Sequence, residues 1–275
     1  MLTDADLLRY SRQLLLPDFG IAGQEALARS TVLIVGLGGL GSPAALYLTA
    51  AGVGHLRLAD GDIVEVSNLQ RQVIHDEAGL GLNKAVSAAR RLAALNSATS
   101  LHVIEQSLQG AILQDAVVGA DLVLDASDRF ATRYALNRAC LQARVPLLSA
   151  AAIRFEGQLA LFDTPGGGAC YRCLYPLGGA GDESLACAEN GVLGPVVGVL
   201  GSLQALEAVK FLAGLKSLHD EVLMMDLRSL SQYRLRLQRR PDCADCGPGS
   251  AAQNAGQGAQ GVPLANFSPQ AGSES

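Results

Sequence analysis

An α/β fold with a doubly wound, mostly parallel sheet is the architecture that this sequence predicts. Apolar strand patterns and helical patterns alternate from residue 31 to about residue 150, as a parallel sheet with crossover helices requires. A glycine-rich turn, Gly36 to Gly41, joins the first strand to the helix behind it. Two Cys-x-x-Cys pairs in the second half of the chain predict a structural zinc clip on an antiparallel C-terminal extension.

The composition of the 275-residue chain argues against several classes of protein. Apolar residues make up 49% of the sequence, enough for a sizeable core, and the formal net charge of −5 argues against a nucleic-acid binder. No uninterrupted apolar run reaches the roughly 18 residues that a membrane span requires, and the N-terminus lacks the basic start of a signal peptide. We therefore expect a cytoplasmic protein whose six cysteines are metal ligands, reactive thiols or core residues rather than disulfides.

The glycine-rich turn predicts a nucleotide site. Gly36, Gly38 and Gly41 match the G-x-G-x-x-G pattern after the β-branched run Thr31–Val35. Glycines also mark ordinary tight turns, but here a helix follows, and its N-terminus favours an anion. The next predicted strand ends at Asp60, about where Rossmann-like folds place an acid that binds ribose.

Hydrophobic periodicity predicts the other elements. Thr3, with an acid three residues later, is typical of a helix N-cap. We expect one domain over residues 1–246 and a disordered tail over residues 247–275, where large apolar residues are few. Predicted helices cover residues 7–14, 24–29, 42–48, 83–95, 111–119, 133–144 and 194–212, and predicted strands cover residues 31–35, 56–59, 101–105, 122–128, 145–150, 158–162, 222–226 and 233–237. The helix over 194–212 is rich in small residues, which suits close packing, including packing at a subunit interface.

Several charged residues are placed where a ligand could meet them. A polar, irregular stretch over residues 61–72 lies at the edge where open parallel sheets bind ligands, and Asp128 follows a later strand. Lys84 stands in the first turn of a helix, where the dipole favours acids. It is either a surface residue or a cation held toward a phosphate. Taken alone, Arg9 and Arg12 on the first helix are interpreted as part of a solvated charged face.

Four of the cysteines form the two pairs Cys170/Cys173 and Cys243/Cys246. Two such pairs complete a tetrahedral zinc site, which here would tie the C-terminal end back onto the body of the protein. A redox function for a Cys-x-x-Cys pair is the alternative. A closed four-thiolate site has no open coordination position, so we expect the zinc to be structural rather than catalytic.

The other two cysteines have different settings. Cys140 lies on the apolar face of a predicted helix and is interpreted as a core residue. Cys187 lies in a predicted loop without a neighbouring histidine, so a structural and a covalent function both remain open.

Taken together, the motifs resemble the E1-like (ThiF/MoeB/HesA) adenylyltransferases, and most closely the branch that serves molybdopterin synthase. The resemblance extends from about residue 7 to residue 246. It is carried by residues 9–13 (RYSRQ), the glycine-rich turn, residues 60–62 (DGD), residues 67–72 (SNLQRQ), Lys84, residues 125–128 (DASD) and both cysteine pairs.

This resemblance implies that ATP rather than a dinucleotide occupies the glycine-rich site. Asp60 would bind the ribose, Asp128 would hold Mg²⁺, and Arg12 would reach the phosphates across a homodimer interface. The other implied nucleotide-binding residues are Gly36, Gly38, Gly39, Gly41, Asp62, Asn68, Arg71, Gln72 and Lys84, of which Asn68, Arg71 and Lys84 would gather around the phosphates.

The implied substrate is the C-terminal Gly-Gly of a ubiquitin-like sulfur carrier protein in molybdenum cofactor biosynthesis. Its carboxylate would attack the α-phosphate and displace pyrophosphate, and the acyl-adenylate would then be thiolated. Arg12, Arg71, Lys84 and an Asp128-bound Mg²⁺ would supply the positive charge for this step, which needs no general base. No rhodanese-like domain follows Cys246, so we expect a persulfide donor to act in trans. Arg129 departs from the family, which has Asn at that position.

Other functions compete with this interpretation. The same chemistry on the thiamine-pathway carrier is the nearest alternative. An NAD-dependent oxidoreductase would share the glycine pattern, but it has no need for the set Arg71, Lys84 and Asp128. A zinc-stapled scaffold that docks a ubiquitin-like partner would leave those residues without a function.

Overall fold

The computed structural model describes residues 2–176 and 191–248. Eight strands form one sheet in the order β3-β2-β1-β4-β5-β6-β7-β8. The strands are β1 (Thr31–Val35), β2 (His55–Ala59), β3 (Ser100–Ile104), β4 (Leu122–Asp125), β5 (Leu147–Ile153), β6 (Glu156–Phe162), β7 (Glu221–Asp226) and β8 (Ser231–Arg236). Pairing is parallel from β3 to β5 and antiparallel from β5 to β8. The predicted parallel sheet with an antiparallel C-terminal extension is confirmed.

Helices cover both faces of this sheet. They are α1 (Asp4–Arg9), α2 (Ser11–Leu14), α3 (Gly20–Arg29), α4 (Gly41–Ala51), α5 (Lys84–Leu95), α6 (Gly110–Val117), α7 (Phe130–Ala143), α8 (Tyr171–Leu174) and α9 (Gly194–Leu212). One apolar core contains residues of α4, α5 and α9, and the other contains residues of α6 and α7 together with the four paired cysteines. The central strands β1 and β4 are buried almost throughout, which explains their continuous apolar sequences.

Some element bounds differ from the predicted ones for local reasons. The Thr3 capping box is present, but the first predicted helix divides at Tyr10 into α1 and α2. The strand predicted over residues 122–128 ends at Asp125, because the Asp125 carboxylate accepts hydrogen bonds from the N–H and hydroxyl of Ser127 and turns the chain.

Helix α9 crosses the sheet against α4. A Cβ atom on Gly201 would overlap the carbonyl oxygen of Leu40 and meet the ring of Pro43, so a small residue is required there for packing within the chain. Exposed Val199 and Leu206 remain available on the outer side, where the predicted subunit interface stays a prediction. Among the described residues, α9 alone is long and apolar enough to cross a membrane by length and composition. Its buried Gln204 donates to the carbonyl groups of two sheet residues, as expected of a core helix.

Candidate active site

A cavity of about 230 Å³ opens at the carboxyl ends of β1, β2 and β4. The strand order reverses between β1 and β4, and ligands of open α/β sheets bind at such a switch point. The cavity wall includes most of the predicted nucleotide-binding residues: Gly36, Gly38, Gly39, Asp60, Asp62, Arg71, Gln72, Lys84 and Asp128.

The glycines of the turn have two separate functions. Gly36 has a φ angle of 90°, and a Cβ atom there would lie 2.7 Å from the carbonyl oxygen of Ala126. A Cβ atom on Gly41 would overlap the carbonyl oxygen of Gly36, so Gly41 lies beneath the turn and does not line the cavity. Gly38 and Gly39 line it, and no side chain caps the N-terminus of α4 behind them. The loop therefore presents backbone N–H groups to an anion.

Asp60 is held by the glycine-rich loop itself. Its Oδ2 atom accepts a hydrogen bond of 2.7 Å from the N–H of Leu37, and its Oδ1 atom accepts one of 2.9 Å from the N–H of Asp62. Burial raises the pKa of Asp60, and these two N–H groups oppose that change. The carboxylate is thus fixed in direction at the cavity wall, where it can accept from a ribose hydroxyl.

Lys84 is a buried cation in the wall of the cavity, not a surface residue. Its Nζ atom lies 3.1 Å from Oδ2 of Asp62, and its backbone N–H donates to the Asp62 carbonyl oxygen. Asn83 caps α5 by accepting from the N–H of Ala85. Burying an ammonium group is costly unless it has a partner, and here the partner is the exposed carboxylate of Asp62. Because Lys84 also lines the cavity, its ammonium group can bind a ligand anion there.

Only some of the predicted site residues in the stretch after Asp60 line the cavity. Arg71 lines it, with Nη1 donating to the carbonyl oxygen of Ser67 at 3.0 Å. Gln72 also lines it, and its buried Oε1 atom has no hydrogen-bond partner among the described residues. Asn68 does not line the cavity, because its side chain accepts from the N–H of Glu65 and donates to Ser67 within its own turn. The structure thus does not bring Asn68 to the other predicted phosphate ligands.

Asp128 and Arg129 lie on the opposite wall, between β4 and α7. Both side chains are exposed, and Asp128 offers the carboxylate oxygen that Mg²⁺ prefers. Arg129 stands at the N-cap of α7 and adds a cation to the wall, at the position where the family resemblance leads one to expect Asn.

Arg133 is a site residue that the sequence interpretation missed. It is buried, and its Nη2 atom donates to the carbonyl oxygens of Ser127 at 2.6 Å and Ala150 at 3.1 Å. Its Nε atom lies 3.9 Å from Oδ2 of the fully buried Asp125. A signal was present in the sequence, since Arg133 precedes the apolar Leu136 by three residues and therefore shares its helix face.

A second cavity of about 170 Å³ adjoins the first, and Asp128 and Arg133 line both. Its other walls are mainly apolar, with Phe130, Tyr171, Tyr175, Ile153 and Met224 among them. On the same face of the sheet, Met224 pairs with Tyr233, which is exposed on the edge strand β8. The first cavity thus continues into an apolar recess toward the antiparallel end of the sheet.

Arg12 is exposed on α2 and does not line either cavity. A contribution of Arg12 to this chain's own site has no support in the structure. The predicted contribution across a subunit interface stays a prediction.

The two Cys-x-x-Cys pairs meet, as predicted. The Sγ atom of Cys170 lies 3.9 Å from that of Cys173 and 3.6 Å from that of Cys243, and Cys173 lies 3.4 Å from Cys246. A tetrahedral zinc ion with Zn–S bonds of about 2.3 Å separates its sulfurs by about 3.8 Å. All four thiols are buried and lie within 4.8 Å of one another, so they can hold zinc.

The cysteine cluster is joined to the helix that carries Arg133. Asn137, one turn after Arg133 on α7, donates to Asp245 between the last two cysteines and accepts from the N–H of Tyr171 between the first two. Hydrogen bonding from Cys170 is the main cause that lowers the pKa of Cys173 below the ordinary range of a thiol. The remaining cysteines are Cys140, which is buried in the core as predicted, and Cys187, which lies outside the described residues, as does the predicted tail beyond residue 248.

Comparisons with known proteins agree with this geometry. The ThiF family model matches residues 10–245. Adenylyltransferase and sulfurtransferase MOCS3 of Sus scrofa is 52% identical over 248 residues, 90% of this chain and 54% of that protein. Two proteins of Escherichia coli K12 are each 46% identical: the sulfur carrier protein ThiS adenylyltransferase, over 91% of this chain and 99% of its own, and the molybdopterin-synthase adenylyltransferase, over 90% and 98%. The chain therefore spans about half of the MOCS3 protein and nearly all of the two bacterial ones.

Solved structures show the same architecture. The crystal structure of E. coli MccB with ATP superposes with a TM-score of 0.77 at 26% identity, covering 87% of this chain and 74% of MccB. A further MccB structure has a TM-score of 0.78 at 25% identity, covering 87% and 75%. The resemblance to E1-like adenylyltransferases that the motifs indicated is confirmed.

Proposed function

The chain belongs to the ThiF family, and on that premise we propose that it is an ATP-dependent adenylyltransferase acting on a ubiquitin-like sulfur carrier protein. The observation that carries this proposal is the buried ammonium group of Lys84 in a cavity beside the glycine-rich loop. Adenylyltransferase is also the activity in the names of the relatives described above.

The residues of the cavity divide the chemistry among them. Backbone N–H groups of the glycine-rich loop, together with Arg71 and Lys84, would bind the phosphates, and Asp60 would bind the ribose. Asp128 would hold Mg²⁺, which supplies further neutralisation of phosphate charge when bound. The carrier carboxylate attacks the α-phosphorus, a P–O bond forms, the α–β bridging bond breaks, and pyrophosphate leaves. Because a carboxylate is already ionised at neutral pH, positioning and charge neutralisation are sufficient.

The same cavity argues against an NAD-dependent oxidoreductase. The nicotinamide ring carries no negative charge in either oxidation state, so hydride transfer at that ring gains nothing from Arg71, Lys84 and Arg129 around one space. Triphosphate chemistry needs that concentration of positive charge. A scaffold without catalysis would likewise have no reason to bury the ammonium group of Lys84, given the cost of burying a charge.

The second cavity supports a route for the carrier tail. An extended Gly-Gly terminus is narrow, and the apolar recess beside Phe130, Tyr175 and Met224 leads to Asp128 and Arg133 at the nucleotide cavity. The tail would place its carboxylate at this junction, while the body of the carrier rests on the exposed β7–β8 end of the sheet. Arg129 would add positive charge near the same junction.

The molybdopterin-synthase carrier is the proposed physiological substrate, and the thiamine-pathway carrier is the alternative. The two E. coli relatives named for these carriers are equally identical to this chain, so identity does not favour either. We further propose a cytoplasmic homodimer, a persulfide donor in trans and a structural zinc ion on Cys170, Cys173, Cys243 and Cys246.

Two measurements test the proposal. MgATP should raise the melting temperature of the purified protein, and NAD should not. Exchange of labelled pyrophosphate into ATP should then depend on an added carrier, and comparing the two purified carriers would identify the substrate. Stabilisation by NAD but not by MgATP would refute the adenylyltransferase.

A further inference from the structure

His75 is buried just behind the glycine-rich loop and is not part of the cavity wall. Its Nε2 atom lies 3.0 Å from the carbonyl oxygen of Leu37, and its Nδ1 atom lies 2.9 Å from the hydroxyl oxygen of Ser87. A carbonyl oxygen can only accept, so Nε2 carries the hydrogen and donates. In the neutral ring Nδ1 then accepts from Ser87. Both contacts are therefore satisfied by one tautomer of the uncharged imidazole.

These two contacts close a circuit of hydrogen bonds around the nucleotide cavity. The N–H of Leu37 donates to Asp60, and the second carboxylate oxygen of Asp60 accepts from the N–H of Asp62. The Asp62 carboxylate pairs with Lys84 at 3.1 Å. Ser87 lies on α5, three residues after Lys84, so the circuit returns along one helical turn through His75 to the loop.

We propose that His75 is a positioning residue for nucleotide binding, which holds the glycine-rich loop and the Lys84-bearing turn of α5 at one fixed separation. The proposal rests on the proposed use of ATP. Leu37 lies between the glycines that line the cavity, and its two peptide groups are tied to Asp60 on one side and to His75 on the other. With this separation fixed, the loop N–H groups and the Lys84 ammonium group are preorganised to bind the same phosphates, so less conformational entropy is lost on binding.

Protonation of His75 would disturb the circuit. Both nitrogens of the imidazolium can only donate, so the Ser87 hydroxyl would have to turn and accept from Nδ1, and a second cation would stand near Lys84. Burial lowers the pKa of His75 and nearby Lys84 lowers it further, whereas the hydrogen bond to Leu37 and the charges of Asp60 and Asp76 oppose these effects. Since the net change is downward, His75 stays neutral at pH 7 and would charge only below its ordinary value of about 6.5. MgATP affinity should therefore fall on the acidic side of that value.

The test compares two substitutions of His75 with a matched control. His75→Ala removes both contacts, and His75→Gln keeps an amide that can donate to Leu37. His55→Gln makes the same chemical change on an exposed residue at the start of β2.

We expect the KM for ATP in pyrophosphate exchange to rise about tenfold in His75→Ala, with a smaller change in kcat. His75→Gln should recover part of that loss, and its MgATP affinity should fall less than that of the wild type between pH 8 and pH 5, a range of about three units around the ordinary histidine pKa. His55→Gln should match the wild type.

A KM for ATP unchanged in His75→Ala, alongside a lower melting temperature, would show a merely structural residue and overturn the proposal. So would an acidic loss of MgATP affinity that persists unchanged in His75→Gln. If His75→Ala does not fold, Ser87→Ala tests the same connection, since it removes the hydroxyl and leaves the ring in place. A wild-type KM for ATP in Ser87→Ala would then be the contradicting result. Failure of the wild type to bind MgATP at all would instead refute the proposed function.

Discussion

The ammonium group of Lys84 lies 3.1 Å from Oδ2 of Asp62, yet 9% of the lysine side chain is exposed against 68% of the aspartate side chain. The cation is thus held inside the cavity wall by an acid that stays largely in water. A phosphate that enters the cavity would replace the Asp62 carboxylate beside Lys84. Because that carboxylate is already largely hydrated, replacing it costs less free energy than separating a fully buried pair. This arrangement leaves the ammonium group of Lys84 accessible to an anion.

Removing the ammonium group should therefore affect catalysis more than folding. We expect Lys84→Met to lower the rate of carrier-dependent pyrophosphate exchange by about 10²–10³-fold, the usual effect of deleting one preorganised charge. Lys216→Met, at an exposed lysine outside the cavity, is the matched control and should retain the wild-type rate. A Lys84→Met rate within a few-fold of the control would contradict an interaction of Lys84 with phosphate.

Arg133 should matter for stability as well as for the site. Arg133→Met leaves the fully buried Asp125 without its cation, and removing one member of a buried pair costs about 3 kcal/mol or more in the free energy of unfolding. Urea unfolding measures this change. Arg138→Met, on an exposed position of the same helix, should alter the free energy by less than about 0.5 kcal/mol. Equal effects of the two substitutions would show that the buried pair contributes nothing specific.

Zinc should be bound at one ion per chain, as measured by elemental analysis. Cys243→Ser should lower both the zinc content and the melting temperature, since metal binding at such sites is coupled to folding. Cys140→Ala is the control, because Cys140 is a buried cysteine outside the cluster and its loss should leave the zinc content unchanged. Zinc-free wild-type protein with an unchanged melting temperature would contradict a structural zinc site.

The proposed contribution of Arg12 across a dimer can be tested by subunit mixing. Arg12→Ala chains and Lys84→Ala chains should each be nearly inactive in pyrophosphate exchange. In a mixed dimer one site keeps both residues, so mixing should restore part of the activity. Subunit exchange is followed in parallel with differently tagged chains. Exchange without any recovered activity would place Arg12 outside the partner's site.

Features that depend on neighbours in the sequence were predictable. The strand before the glycine-rich turn is continuous and β-branched, and Gly41 is required by a contact with the carbonyl oxygen of Gly36, only a few residues earlier. Alternation of strand and helix patterns predicted the parallel sheet, because each pattern reflects which face of one element is buried. The capping box at Thr3 is equally local.

The positions of charged groups were harder to predict, because burial and pairing depend on residues distant in the sequence. From the sequence, Lys84 could be either exposed or buried. The structure shows it buried, with Asp62, 22 residues earlier in the sequence, beside its ammonium group. The family resemblance implied that Asn68 binds phosphate, but its side chain accepts a hydrogen bond within its own turn. Arg133 was not predicted as a site residue, because its partner Asp125 and its carbonyl acceptors lie on other elements.

By itself, the sequence determined the fold class, the glycine-rich loop, both cysteine pairs and the family, since periodicity, spacing and motif order are properties of the chain alone. The tertiary structure decided that the cysteine pairs, 73 residues apart, meet in one buried cluster, and that a single cavity receives Lys84, Arg71 and Asp128 but not Asn68. It also decided that His75 connects the loop to α5. The physical reason is that a buried charge or polar group is stable only with its partners in place, and folding brings those partners together from distant parts of the chain.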